Sequence, residues 1–292
     1  MPTGTNILNA IISGLGIGGL FAVTALGLSL AFGVMRLINI AHGEFMVLGG
    51  YVAFFLGQAI GLDPLISVLV AVIAAAVLAY PLQHFLLTPV MSRGAGAPLL
   101  ITFGVSVVLQ NLFIQFFYPE VRSLKAGYAQ ANFTVGNLTV PIIYLISLGI
   151  GVVVLALAHL AITRTTFGRG LRASAEDPAA AAVVGVNVRR VHALTYAVAA
   201  AAASIGGILV GLMFSFSPTS GITWLITGFA VVVLGGAGSI KGTLLGGLIL
   251  GLIQSLGATF TGDGWRTFIG YVVFLIVLSI RPQGLFGRKG SY

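Results

Sequence analysis

The sequence contains no cysteine in 292 residues, which excludes disulfides, thiolate metal sites and cysteine nucleophiles. Charge is nearly as scarce. Only 7% of residues are Asp, Glu, Lys or Arg, against roughly 25% in an ordinary soluble domain. Too little polar material exists to cover a water-soluble globule. Acid is the scarcer sign, with 6 Asp+Glu against 14 Lys+Arg and a net charge of +8. So thin a basic excess does not make a phosphate-binding surface, and a nucleic-acid binder is excluded despite a pI of 10.2. The first 35 residues carry no charged side chain. A secretory signal needs a basic n-region, so the N-terminal segment is expected to be retained.

What is present is apolar: 58% hydrophobic residues and a mean hydropathy of +1.10. The chain reads as an all-α polytopic membrane helix bundle, residues 1–292 forming one transmembrane domain. The gaps between charges map it. Residues 191–240 form a charge-free run of fifty. A crossing needs about 20 apolar residues. Spans are expected near 7–34, 45–61, 65–87, 98–118, 139–162, 191–214, 222–238, 243–260 and 266–281. That makes about nine, within a range of eight to ten, because the short, glycine-punctuated 222–238 reads equally as a half-helix. Basic residues collect on the cytoplasmic side. With the loop 163–190 inside, eleven fall there: Arg36, Arg93, Arg164, Arg169, Arg172, Arg189, Arg190, Lys241, Arg281, Arg288 and Lys289. Three fall outside, Arg122, Lys125 and Arg266, and nine spans place the N-terminus outside.

Glycine occurs 41 times, much of it inside the apolar segments. Gly14/Gly18, Gly207/Gly211, Gly242/Gly246 and Gly247/Gly251 have the four-residue spacing that lets helix backbones approach closely in lipid. Several motif matches are decoys. Gly14-Leu-Gly16-Ile-Gly18-Gly19 fits a dinucleotide pattern but lies inside an apolar span. Gly235-Gly-Ala-Gly-Ser-Ile-Lys241 lacks the ending of a phosphate loop, so nucleotide hydrolysis by that route is excluded. Asn132-Phe-Thr and Asn137-Leu-Thr match the glycan acceptor pattern at chance frequency. His84, His159 and His192 lack metal-ligand spacing and read as interfacial side chains. No catalytic residue, metal or cofactor is expected.

Three stretches carry content. In Asn39-Ile-Ala-His42-Gly-Glu44-Phe45, polar and ionisable groups sit at the junction of two apolar segments. Such groups line water-filled pathways, or form an ordinary cytoplasmic turn. The segment 164–190 holds seven of the 20 charged residues. Within it, Asp177 reads as an N-cap, Pro178 as the first helical residue and Gly185 as a stop. Ser174-x-x-Asp177 fits a capping box one turn earlier. The resulting short helix, 178–184, presents Ala180–Val184 as a small apolar face among charges. It suits docking into another protein, or lying on anionic lipid. The third stretch is Leu234-Gly-Gly-Ala-Gly-Ser-Ile-Lys-Gly-Thr-Leu-Leu-Gly-Gly247. At an offset of 197 it lays Lys241-x4-Gly246-Gly247 on Glu44-x4-Gly49-Gly50 and Phe229 on Phe32. This faint internal repeat is of the kind from which transporters build a pathway.

Taken together, Phe32-Gly-Val-Met-Arg-Leu-Ile-Asn-Ile-Ala-His-Gly-Glu-Phe45, Arg172-Ala-Ser-Ala-Glu-Asp-Pro-Ala-Ala-Ala-Ala-Val-Val-Gly-Val186, Leu234–Thr243 and Arg281-Pro-Gln-Gly-Leu-Phe-Gly-Arg288 resemble the LivH-type permeases. These are membrane subunits of ABC importers for branched-chain amino acids, of the LivH/LivM type. The likeness runs from Ile11 to Arg288 and is specific for the family, not for the solute, since relatives import urea, amides and other small acids. It implies a LivM-like second permease subunit, two cytoplasmic ABC ATPases, a periplasmic solute-binding protein and a multi-pass place in the bacterial inner membrane. It also implies alternating access, driven through a coupling loop at 163–190 in which Arg169, Arg172, Glu176, Asp177, Pro178 and Gly185 meet an ATPase. Asn39, His42, Glu44, Gly236 and Lys241 are then expected at the translocation pathway or its hinge, with Glu44 paired to Lys241 or Arg36.

The rival reading is an ion-coupled secondary transporter or channel. Such proteins keep ionisable groups deep in their spans, whereas all six acids of this chain lie at segment ends. A membrane enzyme lacks any clustered acid, base or metal site in this sequence.

Overall fold

A computed structural model describes residues 4–94, 96–136, 138–281 and 283–286. Among them, eight helices are long and apolar enough to cross a membrane. They are α1 (Gly4–Met35), α2 (His42–Ile60), α3 (Pro64–Pro81), α4 (Gly96–Phe117), α6 (Ile142–Arg164), α9 (Val188–Met213), α11 (Ile240–Thr261) and α12 (Arg266–Ile280). α3 continues through irregular turns to Arg93, and a 3-10 turn, Asp263–Trp265, precedes α12. Shorter elements are α5 (Gly127–Gln130), the hairpin β1 (Asn132–Val135) and β2 (Leu138–Pro141), α7 (Thr166–Glu176), α8 (Pro178–Val183) and α10 (Gly221–Gly235). The ninth expected span is α10, only 15 residues long, or about 22 Å at 1.5 Å per residue. Arg288, Lys289, Pro282 and Asn137, used above for orientation, likeness and decoys, lie outside the described residues.

Local chemistry sets the helix ends. Gly61 turns into the left-handed region at φ +66 and closes α2, its amide bonding Gly57 O while Leu62 N bonds Leu56 O. Asp63 then accepts from Leu65 N at 2.8 Å, with Pro64 in the first turn of α3 where its missing amide costs nothing. Pro81 ends the regular part of α3, and the chain passes through a wide turn, Leu82–Leu87.

α1 is the axis of the bundle, with 89% of its most apolar window buried, and α9 follows at 78%. Glycine makes their contacts possible. α1 and α11 run antiparallel along a seam of Gly14 and Gly18 against Gly247 and Gly251. A β-carbon on Gly18 would lie 2.7 Å from the Leu248 Cα. Gly242 and Gly246 face Gly235 and Val231 of α10, and Gly207 meets the Met46 backbone of α2. Three of the four expected glycine pairs are therefore backbone approaches at both positions, while in the fourth Gly207 meets a backbone and Gly211 faces the Leu124 and Phe216 side chains. Ala71, Ala75 and Ala79, all fully buried, form a matching small stripe on α3, which packs on α9.

Two ends can be told apart. Gly33 of α1 meets Gly238, and α7 packs on α1 and α9. This end carries Arg36, Arg164, Arg189 and Lys241 and is called the basic end below. At the opposite end β2 packs on α1, and the Tyr128 hydroxyl donates to Asp63 Oδ1 at 2.9 Å. Burial and that carboxylate raise the tyrosine's pKa. α2 and α11 both run away from the basic end, and α1 and α10 both run toward it. The two halves of the faint repeat thus have the same sense, as a parallel repeat requires and an inverted one forbids.

Two details differ from expectation. The segment 163–190, expected to couple to an ATPase, holds a second helix, α7, ahead of the expected one. The proposed capping box is not formed: Ser174 is buried with an unpartnered hydroxyl, and Asp177 caps α8 alone.

Candidate functional site

α2 does not begin at the basic end. Beyond Met35, Arg36 takes a left-handed φ of +49, uncommon for a residue with a side chain. The segment 36–41 then re-enters the bundle. His42 Nε2 lies 2.8 Å from Thr24 O, eleven residues back along α1, or about 16 Å at helical rise. The α2 N-terminus therefore sits at mid-depth. Gly43 there packs against Gly221, the first residue of α10, so two helix N-termini meet inside the bundle.

Each polar group at this meeting point is enclosed, and each reaches a different helix. Asn39, 2% exposed, accepts from the hydroxyl of Tyr196 on α9 at 2.9 Å. His42, 1% exposed, holds α1. Glu44, 2% exposed, accepts from Ser106 Oγ on α4 at 3.1 Å, and its Oε2 has no partner. Thr102 Oγ1 lies within 3.4 Å of Ile38 O. The re-entrant segment is thereby tied to α1, α4 and α9. Ser106, Thr102 and Tyr196 escaped sequence reading; their signal was a polar group inside a span with no charge nearby.

The expected pairing of Glu44 is not formed. Lys241 is exposed in the first turn of α11 and Arg36 is exposed at the basic end, while Glu44 is enclosed at mid-depth. Among the described residues the ion pairs are Arg122–Glu120 and Arg266–Asp263. The five expected pathway residues accordingly fall into two groups. Asn39, His42 and Glu44 are together; Gly236, at φ +87, and Lys241 belong to the α10–α11 turn at the basic end.

Toward the opposite end, aromatic rings close over α2. Tyr51 stacks on Phe117 at 4.2 Å and meets Phe216 edge-on at 5.1 Å. Arg122 and Phe216 exchange two backbone hydrogen bonds of 2.8 Å, and the Arg122 guanidinium lies 4.5 Å from the centre of the Phe54 ring. Of this lattice, Arg122 and Phe216 lie between the expected spans, and Tyr51, Phe54 and Phe117 lie within them.

In the segment 163–190, Asp177, Pro178 and Gly185 act as expected, and further contacts set the remaining helix ends. Thr165 caps α7, accepting from Gly168 N at 3.1 Å. Arg172 donates from Nη1 to Ile162 O, folding α7 back on the end of α6. Asp177 Oδ1 accepts from Ala179 N and Ala180 N at 2.8 and 3.0 Å, and Pro178 opens α8. Gly185, at φ +89, turns the chain out of it, and Asn187 caps α9. Ala181 is buried, but Val183 and Val184 are 87% and 77% exposed at the tip. Arg169, Arg172 and Glu176 are exposed on α7. His192, expected at an interface, is instead buried near the start of α9. No group of three His, Cys, Asp or Glu suited to a metal ion occurs among the described residues.

Comparison with known proteins bears on these features. A family described as "Branched-chain amino acid transport system / permease component" matches residues 10–278. The permease protein BraD of a high-affinity branched-chain amino acid transport system in Pseudomonas aeruginosa is 31% identical, over 99% of this chain and 98% of its own. The permease LivH of Salmonella typhimurium, from a system of the same description, is 30% identical over 96% of each chain. A probable LivH of Methanocaldococcus jannaschii is 29% identical over 92% of this chain and 89% of its own.

Proposed function

Because this chain belongs to the permease components of branched-chain amino acid transport systems, and is thus a multi-pass membrane transport component and not an enzyme, we propose the following division of labour. The chain is one permease subunit of an ABC importer in the bacterial inner membrane, and it carries branched-chain amino acids into the cytoplasm. A LivM-like second permease completes the pathway, two cytoplasmic ATPases supply the energy, and a periplasmic binding protein delivers the solute. The basic end faces the cytoplasm, where Lys and Arg collect.

The observation that carries this reading is α8. It is a short helix capped at its start, seated on α7, with two valines left in water at its tip. Exposed apolar side chains on α8, with Arg169, Arg172 and Glu176 exposed on the preceding helix, suit a groove on another protein. On ATP binding, α7 and α8 move as a unit, and the motion reaches α1 and α9, on which α7 packs. The glycine seams let the spans shift. Asn39, His42 and Glu44 brace the α2 N-terminus at mid-depth, where α2 and α10 meet and the pathway changes its open side.

Co-reconstitution with the partner subunits in liposomes tests this. Leucine should accumulate only with ATP on the ATPase side and binding protein on the other. Uptake without ATP would overturn the reading in favour of ion coupling.

A further inference from the structure

We infer that the chain itself holds a free α-amino acid in a polar cleft at the end opposite the coupling segment, a site that deepens, and rests on, the transport reading above. The cleft has a volume of about 320 Å³ and lies between α1, α6, α11 and the Asp263–Arg266 turn. Small-molecule sites start near about 300 Å³. Its floor is closed where Gly14 meets the Leu252 Cα, 2.9 Å from the position of a β-carbon, so the cleft stops at the α1–α11 seam.

Its chemistry is dipolar. Arg266 Nη2 donates to Asp263 Oδ1 at 2.8 Å, which places one cation and one anion side by side with no net charge. The pair is not self-sufficient. Arg266 Nε is buried with no acceptor, and across the cleft Asn9 Oδ1 is buried with no donor. Ser13, Tyr144 and Ser255 add hydroxyls to the wall. Arg266 also opens α12, whose first amides favour an anion. A ligand completing these groups offers an acceptor of negative charge to Arg266 and a donor of positive charge to Asn9 and Asp263, on neighbouring atoms. That is the carboxylate and ammonium of an α-amino acid. A carboxylic acid alone leaves Asn9 unmet, an amine alone leaves Arg266 Nε unmet, and an uncharged amide leaves the dipole unmatched. A zwitterionic lipid headgroup shares the chemistry, and the test separates it.

The absence of cysteine supplies the probe. Ser13→Cys puts the chain's sole thiol in the cleft. The assembled transporter, in nanodiscs of phosphatidylglycerol alone, is treated with an anionic methanethiosulfonate. Saturating L-leucine should slow labelling about tenfold or more, whereas 4-methylpentanoate, L-leucinamide and urea should not. Adding Arg266→Gln should raise the leucine needed for protection about 10–100-fold, the worth of a lost charged hydrogen bond. Its labelling rate without leucine, read separately with an uncharged methanethiosulfonate, should stay near that of the parent, since a collapsed cleft would shield the thiol from that reagent too. Arg266→Lys should fall between.

The inference is overturned if leucine gives no protection, or equal protection with Arg266→Gln, or if either half-molecule protects as well. Protection by phosphatidylethanolamine nanodiscs in place of leucine overturns it in favour of lipid. ATP-driven leucine uptake without protection removes the cleft and leaves the transport reading standing. Protection without ATP-driven uptake does the reverse.

Discussion

The bond that anchors the re-entrant segment to α9 offers a measurable test of the buried site. Tyr196→Phe deletes only the hydroxyl that donates to Asn39 Oδ1 at 2.9 Å. The ring keeps its edge-on contact with Phe45, 6.0 Å between centroids, so little packing is lost. What remains is an Asn39 side chain 2% exposed with an unsatisfied acceptor, and such an orphan costs about 1–3 kcal/mol. Asn39→Leu creates the opposite orphan, a tyrosine hydroxyl without an acceptor. The double variant has neither and should recover most of one loss. Interhelical hydrogen bonds in membrane proteins couple by about 0.6 kcal/mol on average and about 1.7 at most. Both partners here are enclosed by protein, so we expect about 1–1.7 kcal/mol, the upper part of that range. The assay is denaturation of the purified chain in mixed micelles for the parent, both single variants and the double. A coupling within about 0.5 kcal/mol of zero, the ordinary limit of additivity, would show that the bond does not anchor the segment.

Ser106→Ala should destabilise by about 1–3 kcal/mol in the same assay, because it removes the donor to an enclosed Glu44 carboxylate; Glu44→Met in that background should restore part of the loss, and no restoration would show that the bond is not the cause. Gly18→Ala should cost about 1–3 kcal/mol by forcing α1 and α11 apart, while Gly149→Ala, open to the surroundings on α6, should stay within about 0.5; equal midpoints would refute the seam. Val183→Asp, 87% exposed at the tip of α8, should leave the isolated chain's stability unchanged yet lower ATP-driven uptake at least about tenfold, a loss of about 1.4 kcal/mol in coupling. Full uptake by that variant would remove α8 from the ATPase contact.

Much of the architecture is legible from where charge is missing. Each expected span finds a helix, because a crossing segment must be both long and ion-free, and few alternatives meet that condition. Helix ends are legible where a side chain makes them: Asp177 with Pro178, and Gly185, act as their types dictate. α7 is less visible. Its boundary depends on Thr165 capping and on Arg172 reaching Ile162 O, contacts that exist only once α6 has ended nearby. The aromatic lattice around Tyr51 and Arg122 is invisible for the same reason, since it joins segments far apart in sequence.

Depth is the quantity that a linear sequence conceals. All six acids lie at segment ends, and a segment end is naturally read as a membrane surface. For Glu44 that step fails, since residues 36–41 turn inward and start α2 beside Thr24, near the middle of α1. The same inward turn explains why Lys241 does not reach Glu44. The two occupy equivalent places in a repeat of common sense, but α11 begins at the basic end and α2 at mid-depth. A carboxylate so placed is met by Ser106 and by the N-terminal turns of α2 and α10, groups that favour negative charge without adding a cation. This favours a bracing role. An ion-coupling acid must exchange its cation with water on each cycle, whereas Glu44 is 2% exposed and its hydrogen bond goes to Ser106 of α4. On the transport reading proposed above, the element that moves for access to alternate is the junction of α2 with α10, which the polar groups there would hold in place.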